Sequence, residues 1–145
     1  MEQHILANAE LVRKVAAEQL DTAVQYNEVG VRWLDKYIDG QRERASPDVK
    51  EKLPNTLGSF LGECIRQTYG GKWVQDPVHG WQVKINEGLS VFPFSKVEKQ
   101  LANQDGDSVL GLFTAIPGMI EFASKHAEVT GANSKAVDRP WWKFW

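Results

Sequence analysis

The segment from Leu57 to Leu101 constrains the fold more than any other stretch, because its hydrophobic period changes twice within it. The inward stripe Leu57, Leu61, Cys64, Ile65 and Thr68 recurs every three or four residues, which is the repeat of a helix. Gly70-Gly71 follows and supplies the positive-φ residue on which helices commonly end. Gly58 and Gly62 lie four apart beside the stripe, where the missing side chains let another backbone come close. The period then drops to two. Strands are expected at Lys72 to Gln75, Trp81 to Ile85 and Leu89 to Phe92, with Trp81, Val83 and Ile85 on one face. Asn86-Glu87-Gly88 reads as a three-residue hairpin connection with Gly88 in the left-handed position. Ser95-Lys96-Val97-Glu98 fits a capping box, which predicts a short helix to about Asn103.

The flanking segments add helices. Ile5, Ala9, Val12, Ala16 and Leu20 make one stripe of a helix running to about Asp21. Val31, Leu34 and Ile38 mark a second, with Asn27 or Glu28 near its start and Asp39-Gly40 near its end. The two are expected to pack as a hairpin, the alternative being one helix continuing through Thr22 to Val29. Gln41 to Lys52 is charged and contains Ser46-Pro47-Asp48, so it reads as a solvated connection or a frayed helical end. Pro54 fits the first turn of a third helix. Asp105-Gly106-Asp107-Ser108 reads as a turn ending in an N-cap before Val109. Pro117 predicts a break or kink beyond it, since proline removes a helical hydrogen bond. The pattern defines an α+β class: a three-stranded antiparallel β-meander packed against several helices, with an N-terminal helical hairpin. Residues 1–138 read as a single α+β domain and residues 139–145 as an aromatic tail, carried by a small, polar strap from Thr130 to Val137.

Size and charge exclude several functions. A chain of 145 residues buries enough surface to fold without disulfides or metals. A formal charge of −2 lacks the clustered basic surface of a nucleic-acid binder, so no nucleic-acid partner is expected. The single cysteine, Cys64, rules out an internal disulfide. The first residues do not resemble a secretory signal. The longest apolar-looking stretch, Val109 to Ile120, falls short of the roughly 20 residues that span a bilayer. A cytoplasmic protein is the expectation. Cys64 with His4, His79 and His126 has no metal-ligand spacing, and no metal or cofactor is expected.

Several blocks of residues resemble an uncharacterised group of bacterial proteins, a domain-of-unknown-function family. They are Trp33-Leu34-Asp35 with Tyr37-Ile38, Leu57-Gly58 with Leu61-Gly62-Glu63, Tyr69-Gly70-Gly71-Lys72-Trp73, Pro93-Phe94-Ser95-Lys96-Val97 and Asp107-Ser108-Val109. The resemblance covers about Val31 to Ile120. It implies a bacterial protein of this fold and no known activity, and it leaves out the first helix and the aromatic tail.

Candidate site residues fall in two places. Glu63, Arg66, Tyr69, Trp73 and Trp81 cluster around the end of the third helix and the strands. A carboxylate there acts as a general acid or base if burial raises its pKa; the structural reading, in which Glu63 binds Arg66 or caps a neighbouring backbone donor and holds helix to sheet, is favoured. Cys64 is a nucleophile only beside a base, and its place on the apolar stripe favours a core role. The tryptophans either fill the core or line a groove. The second place is Trp141-Trp142-Lys143-Phe144-Trp145, with Arg139 nearby. Exposed, it marks a partner surface or a peripheral contact with an anionic membrane; folded back, it fills a groove of the chain itself. The expected function is non-enzymatic binding of a protein partner, as in an immunity, adaptor or regulatory protein. Membrane association through the aromatic tail and a small hydrolase built on Glu63 or Cys64 are the alternatives, and insertion of the tail into a second copy would make a homo-oligomer.

Overall fold

The computed structural model describes residues 2–103 and 108–129. In chain order they form α1 (Glu2–Gln19), α2 (Glu28–Arg44), α3 (Pro47–Tyr69), β1 (Lys72–Asp76), β2 (Gly80–Asn86), β3 (Leu89–Val91), α4 (Pro93–Ala102) and α5 (Val109–Val129). The class is α+β, and the strands form an antiparallel meander in the order β1-β2-β3.

α3 is the axis of the molecule. From Leu57 to Ile65 every residue is buried, not only the inward stripe, because α1, α2, α4, α5 and β2 surround it. A helix buried all round needs small or apolar residues on each side, and Gly58, Ser59 and Gly62 supply the small ones. Trp73, Val83 and Val91 stand in register across the three strands and are buried on the inner face. The opposite face carries Lys72, Gln82, Lys84 and Ser90 and is not buried, as expected of an antiparallel sheet covered on one side.

Helix ends depart from the expected positions for identifiable reasons. α1 stops at Gln19, where Asp21 takes a left-handed φ of 50° and the Thr22 N–H returns to the Ala16 carbonyl at 2.9 Å. No continuous helix bridges Thr22 to Val29. The Leu20 to Asn27 connection is instead tied to α1: Arg13 Nε donates to the Val24 carbonyl and Tyr26 Oη to Glu10. The side chain of Asn27 caps α2 by accepting from the Gly30 N–H. α1 packs chiefly on α3, whereas α2 packs on α4, α5 and α3. The two N-terminal helices therefore flank α3 and scarcely touch each other.

Gln41 to Lys52 is largely exposed, but it is helical at both ends rather than a connection. α2 continues through Gly40 to Arg44, whose neighbour Arg42 donates to the Gln100 carbonyl at 2.8 Å and pairs with Asp39. Ser46 is then an N-cap accepting from the Val49 N–H, and Pro47 opens α3 seven residues before Pro54. The same Ser-Pro-Asp string suits a turn or a helix start, and packing decides. α4 begins at Pro93, so the Ser95 to Glu98 capping box does not form; Phe92 precedes the helix with no side-chain cap. Burial of Pro93 against α3 sets that start. Gly88 does not adopt positive φ. The Asn86 side chain accepts from the Gly88 N–H and closes the β2–β3 turn, and the left-handed glycine of the meander is Gly80, at φ 77°. In the turn before α5, Asp105, Gly106 and Asp107 lie outside the described residues, while Ser108 caps Gly111 as expected.

α5 also runs unbroken through Pro117. Proline at this position leaves the Phe113 carbonyl without its helical donor. Tyr69 Oη, at the end of α3, donates to that carbonyl at 2.9 Å. The hydroxyl replaces the missing N–H and ties the two helices together. The account predicts coupling between the two residues. Tyr69→Phe is expected to cost about 1 kcal/mol in the parent but nearly nothing in a Pro117→Ala background, where residue 117 supplies its own N–H. Urea unfolding of the four proteins in a double-mutant cycle measures this, and strict additivity contradicts it.

Candidate functional site

Glu63 sits two residues before the end of the fully buried part of α3, 3% exposed. Its Oε1 accepts from Arg66 Nη2 at 2.9 Å and Gln67 Nε2 at 3.1 Å. Its Oε2 accepts from Arg66 Nε at 2.7 Å and from the Trp73 indole Nε1 at 2.9 Å. The guanidinium therefore grips the carboxylate with two parallel bonds, while Trp73 reaches it from β1. Burial pushes the carboxyl pKa up, but the hydrogen bonds from Arg66, Trp73 and Gln67, with the charge of Arg66, outweigh burial. The net effect holds it below its ordinary 4.5. The reciprocal bond raises Arg66. Glu63 is thus ionised at neutral pH with about as many donors as a carboxylate accepts.

The indole reaches Glu63 because Gly62 has no side chain. A Cβ there would overlap the Trp73 ring and stand 3.1 Å from Pro93. At Gly58 a Cβ would come within 2.5 Å of the Phe94 ring, which packs 5.8 Å from Trp73 between centroids. The glycine pair thus receives aromatic rings, with the Phe94 backbone following at Gly58.

Of the expected site residues, the fold brings together Glu63, Arg66 and Trp73. Tyr69 turns to α5, where its ring lies 4.9 Å from that of Phe113. Trp81 stands opposite Gln75, half-buried at the far end of the inner sheet face. Trp141, Trp142, Lys143, Phe144 and Trp145 lie outside the described residues. Cys64 is fully buried, and burial pushes its thiol up, so it stays protonated. His4 and His79 are exposed on separate elements. Among the described residues no three His, Cys, Asp or Glu side chains are grouped to hold a metal ion, and no helix is long and apolar enough to cross a membrane.

An open site exists elsewhere. Because α1 and α2 flank α3 without closing on each other, an apolar groove of about 170 Å³ lies between the three helices. Leu11, Val15 and Leu20 form one wall, Trp33 and Tyr37 the second, and Leu53 belongs to α3. Trp33 stacks on Tyr37 at 5.1 Å and 21° and meets Phe60 edge-on at 6.1 Å. Leu11 and Leu20 remain 48% and 45% exposed at the rim. The sequence carries a signal for this groove: Leu11 and Val15 lie beside the α1 stripe, and Trp33 and Tyr37 beside that of α2. A single-stripe reading passes over them.

Comparison of the chain with protein-family models, with curated proteins and with solved structures finds no match. The functional reading therefore rests on the residues themselves.

Two outcomes follow from the Glu63 geometry. Gly62→Ala is expected to destabilise by about 2 kcal/mol through overpacking, against a helix-propensity gain of about 1 kcal/mol, measured by urea unfolding. Glu63→Gln removes the ion pair and is expected to cost about 2 kcal/mol at pH 7. Because the folded pKa lies below the unfolded one, this stabilisation is present above about pH 4.5 and lost as pH falls through the folded pKa. The stability gap between parent and Glu63→Gln is therefore expected to narrow from pH 5 to pH 3, and a constant gap contradicts the assignment.

Proposed function

We propose that the chain is a non-enzymatic protein-binding module, of the kind that serves as an immunity, adaptor or regulatory protein, and that the groove between α1, α2 and α3 is its contact surface. The observation that carries this reading is an apolar concavity with an aromatic wall and exposed leucines at its rim. Isolated exposed apolar residues are ordinary, but a grouped concave set marks a site that excludes water on binding. At about 170 Å³ the groove is smaller than the roughly 300–1,000 Å³ of a typical small-molecule site. It suits a single anchoring side chain of the kind that dominates protein interfaces.

The saturation of Glu63 and the protonation of Cys64 support the same choice over a hydrolase. A general acid or base needs a lone pair or proton to exchange at the working pH, and a thiol nucleophile needs its thiolate. The bacterial family resemblance carries no activity and adds none.

The test compares proteins co-purifying with the chain, with a Leu11→Arg/Leu20→Arg variant and with a Val78→Arg control. Val78 is 81% exposed on the β1–β2 turn and lies outside the groove. A partner is expected to be held in stoichiometric amount by the parent and by Val78→Arg, and at least tenfold less by the groove variant with an unchanged unfolding midpoint. Equal retention by all three, or no stoichiometric partner, contradicts the reading.

A further inference from the structure

The sheet has two edges, and they differ. β3 is three residues long, pairs with β2 through an irregular register between Lys84 and Asn86, and runs into Pro93 at the start of α4. Shortness, irregularity and proline are devices that keep an edge from pairing with another chain. β1 carries none of them. Its five residues, Lys72 to Asp76, match β2 from Lys84 to Gly80 without a register shift. On its far side no described strand pairs with it. Among the described residues, no backbone hydrogen bond beyond the β1–β2 ladder involves Lys72 to Gln75. Every second residue of an antiparallel edge turns its N–H and C=O away from the ladder, so β1 offers these groups to another strand.

The sequence of β1 is complementary to itself. Alternation puts buried Trp73 on the inner face and Lys72, Val74 and Asp76 on the outer. When two β1 strands pair antiparallel, outward backbone groups meet only in registers centred on a residue, never between two. Of these, the register centred on Val74 is the one that pairs the whole strand. It sets Lys72 opposite Asp76 of the second copy at both ends and Val74 opposite Val74 in the middle. Opposite charges and β-branched residues are favourable cross-strand pairs, and like charges facing one another are not. The charges near Lys72 are Lys84, opposite it on β2, and Glu87, and these two pair with each other. Asp76 lies opposite Gly80, and its Oδ1 accepts from the Val78 N–H at 2.8 Å. A carboxylate accepts about four hydrogen bonds, so a lysine from the second copy adds to that bond rather than replacing it.

We infer that β1 is a self-association edge, at which two copies of the chain join antiparallel about Val74 into one continuous sheet. The contact is isologous, each copy using the same residues. Five residues a side fall well short of the roughly 20–30 of a standard interface, so the dimer is weak and forms at high protein concentration. No residue of β1 lines the groove between α1, α2 and α3, and the inference does not rest on the reading of that groove.

Sedimentation equilibrium of the full chain from micromolar to millimolar concentration tests this. The parent is expected to dimerise. Lys72→Glu and Asp76→Lys each set like charges opposite one another at both ends of the pair, and each is expected to weaken association roughly fivefold or more. An equimolar mixture of the two restores both opposite-charge pairs and is expected to form a heterodimer at parental strength. Leu11→Arg/Leu20→Arg and Trp141→Ala/Trp142→Ala/Trp145→Ala are expected to dimerise as the parent does. Asp76→Asn keeps an acceptor for the Val78 N–H and serves where Asp76→Lys fails to fold; it is expected to weaken association roughly twofold or more. A monomeric parent overturns the inference, as do unchanged association of Lys72→Glu or Asp76→Asn and a mixture of folded variants that associates no better than its components. Dimerisation lost with the groove or the terminal tryptophans but indifferent to the β1 charges overturns it as well.

Discussion

The fold depends on how closely Trp73 approaches α3. The indole lies over Gly62 and beside Phe94, and its N–H ends on the Glu63 carboxylate. Burying a ring of this size is worth roughly 4–6 kcal/mol as an upper estimate from area. That gain requires a partner for the N–H, since a buried unsatisfied donor would cancel much of it. Glu63 meets the requirement and is itself kept ionised by Arg66 and Gln67. Glycine, tryptophan, glutamate and arginine act as one unit: removing the glycine closes the seat, and removing the carboxylate strands the indole. β1 is thereby fixed to the centre of α3, and β2 and β3 follow through their register.

That constraint explains why the residues with the most chemical appearance are not the open ones. A glutamate beside a cysteine in a glycine-rich helix suggests catalysis, yet Trp73 covers Glu63 and Cys64 is fully buried in the core. The concavity arises where packing stops. α1 and α2 each lie on α3 rather than on one another, and the gap between them keeps Trp33, Tyr37, Leu11 and Leu20 within reach of solvent.

The α+β class, the meander, the inward stripe of α3 from Leu57 to Ile65 and the tie between Glu63 and Arg66 were legible from period and spacing, whereas Thr68, assigned to the same stripe, is exposed because the packing around α3 ends at Ile65. The close approach at Gly58 and Gly62 was legible too, although a ring rather than a backbone fills the second position. Other features were illegible for physical reasons. Ser46-Pro47 carries the same residues whether it makes a turn or a helix start, and the tie from Arg42 to Gln100 comes from a residue 58 positions away. Pro117 reads as a breaker because its compensation is the Tyr69 hydroxyl, which lies 44 residues in the chain from the Phe113 carbonyl it serves. The groove exists because two helices fail to meet, and each helix viewed alone presents an ordinary apolar stripe with neighbours.

Native-state hydrogen exchange of the Trp73 indole N–H, compared with the backbone amides of Leu61 to Ile65, tests the central claim most directly. If the Trp73–Glu63 contact is the junction on which helix and sheet depend, the indole is expected to exchange only on global unfolding. Its opening free energy would then equal that of the slowest α3 amides and follow denaturant with the same slope. An indole that exchanges through a smaller opening, while α3 stays protected, would show that the sheet detaches without unfolding the core and would contradict the account.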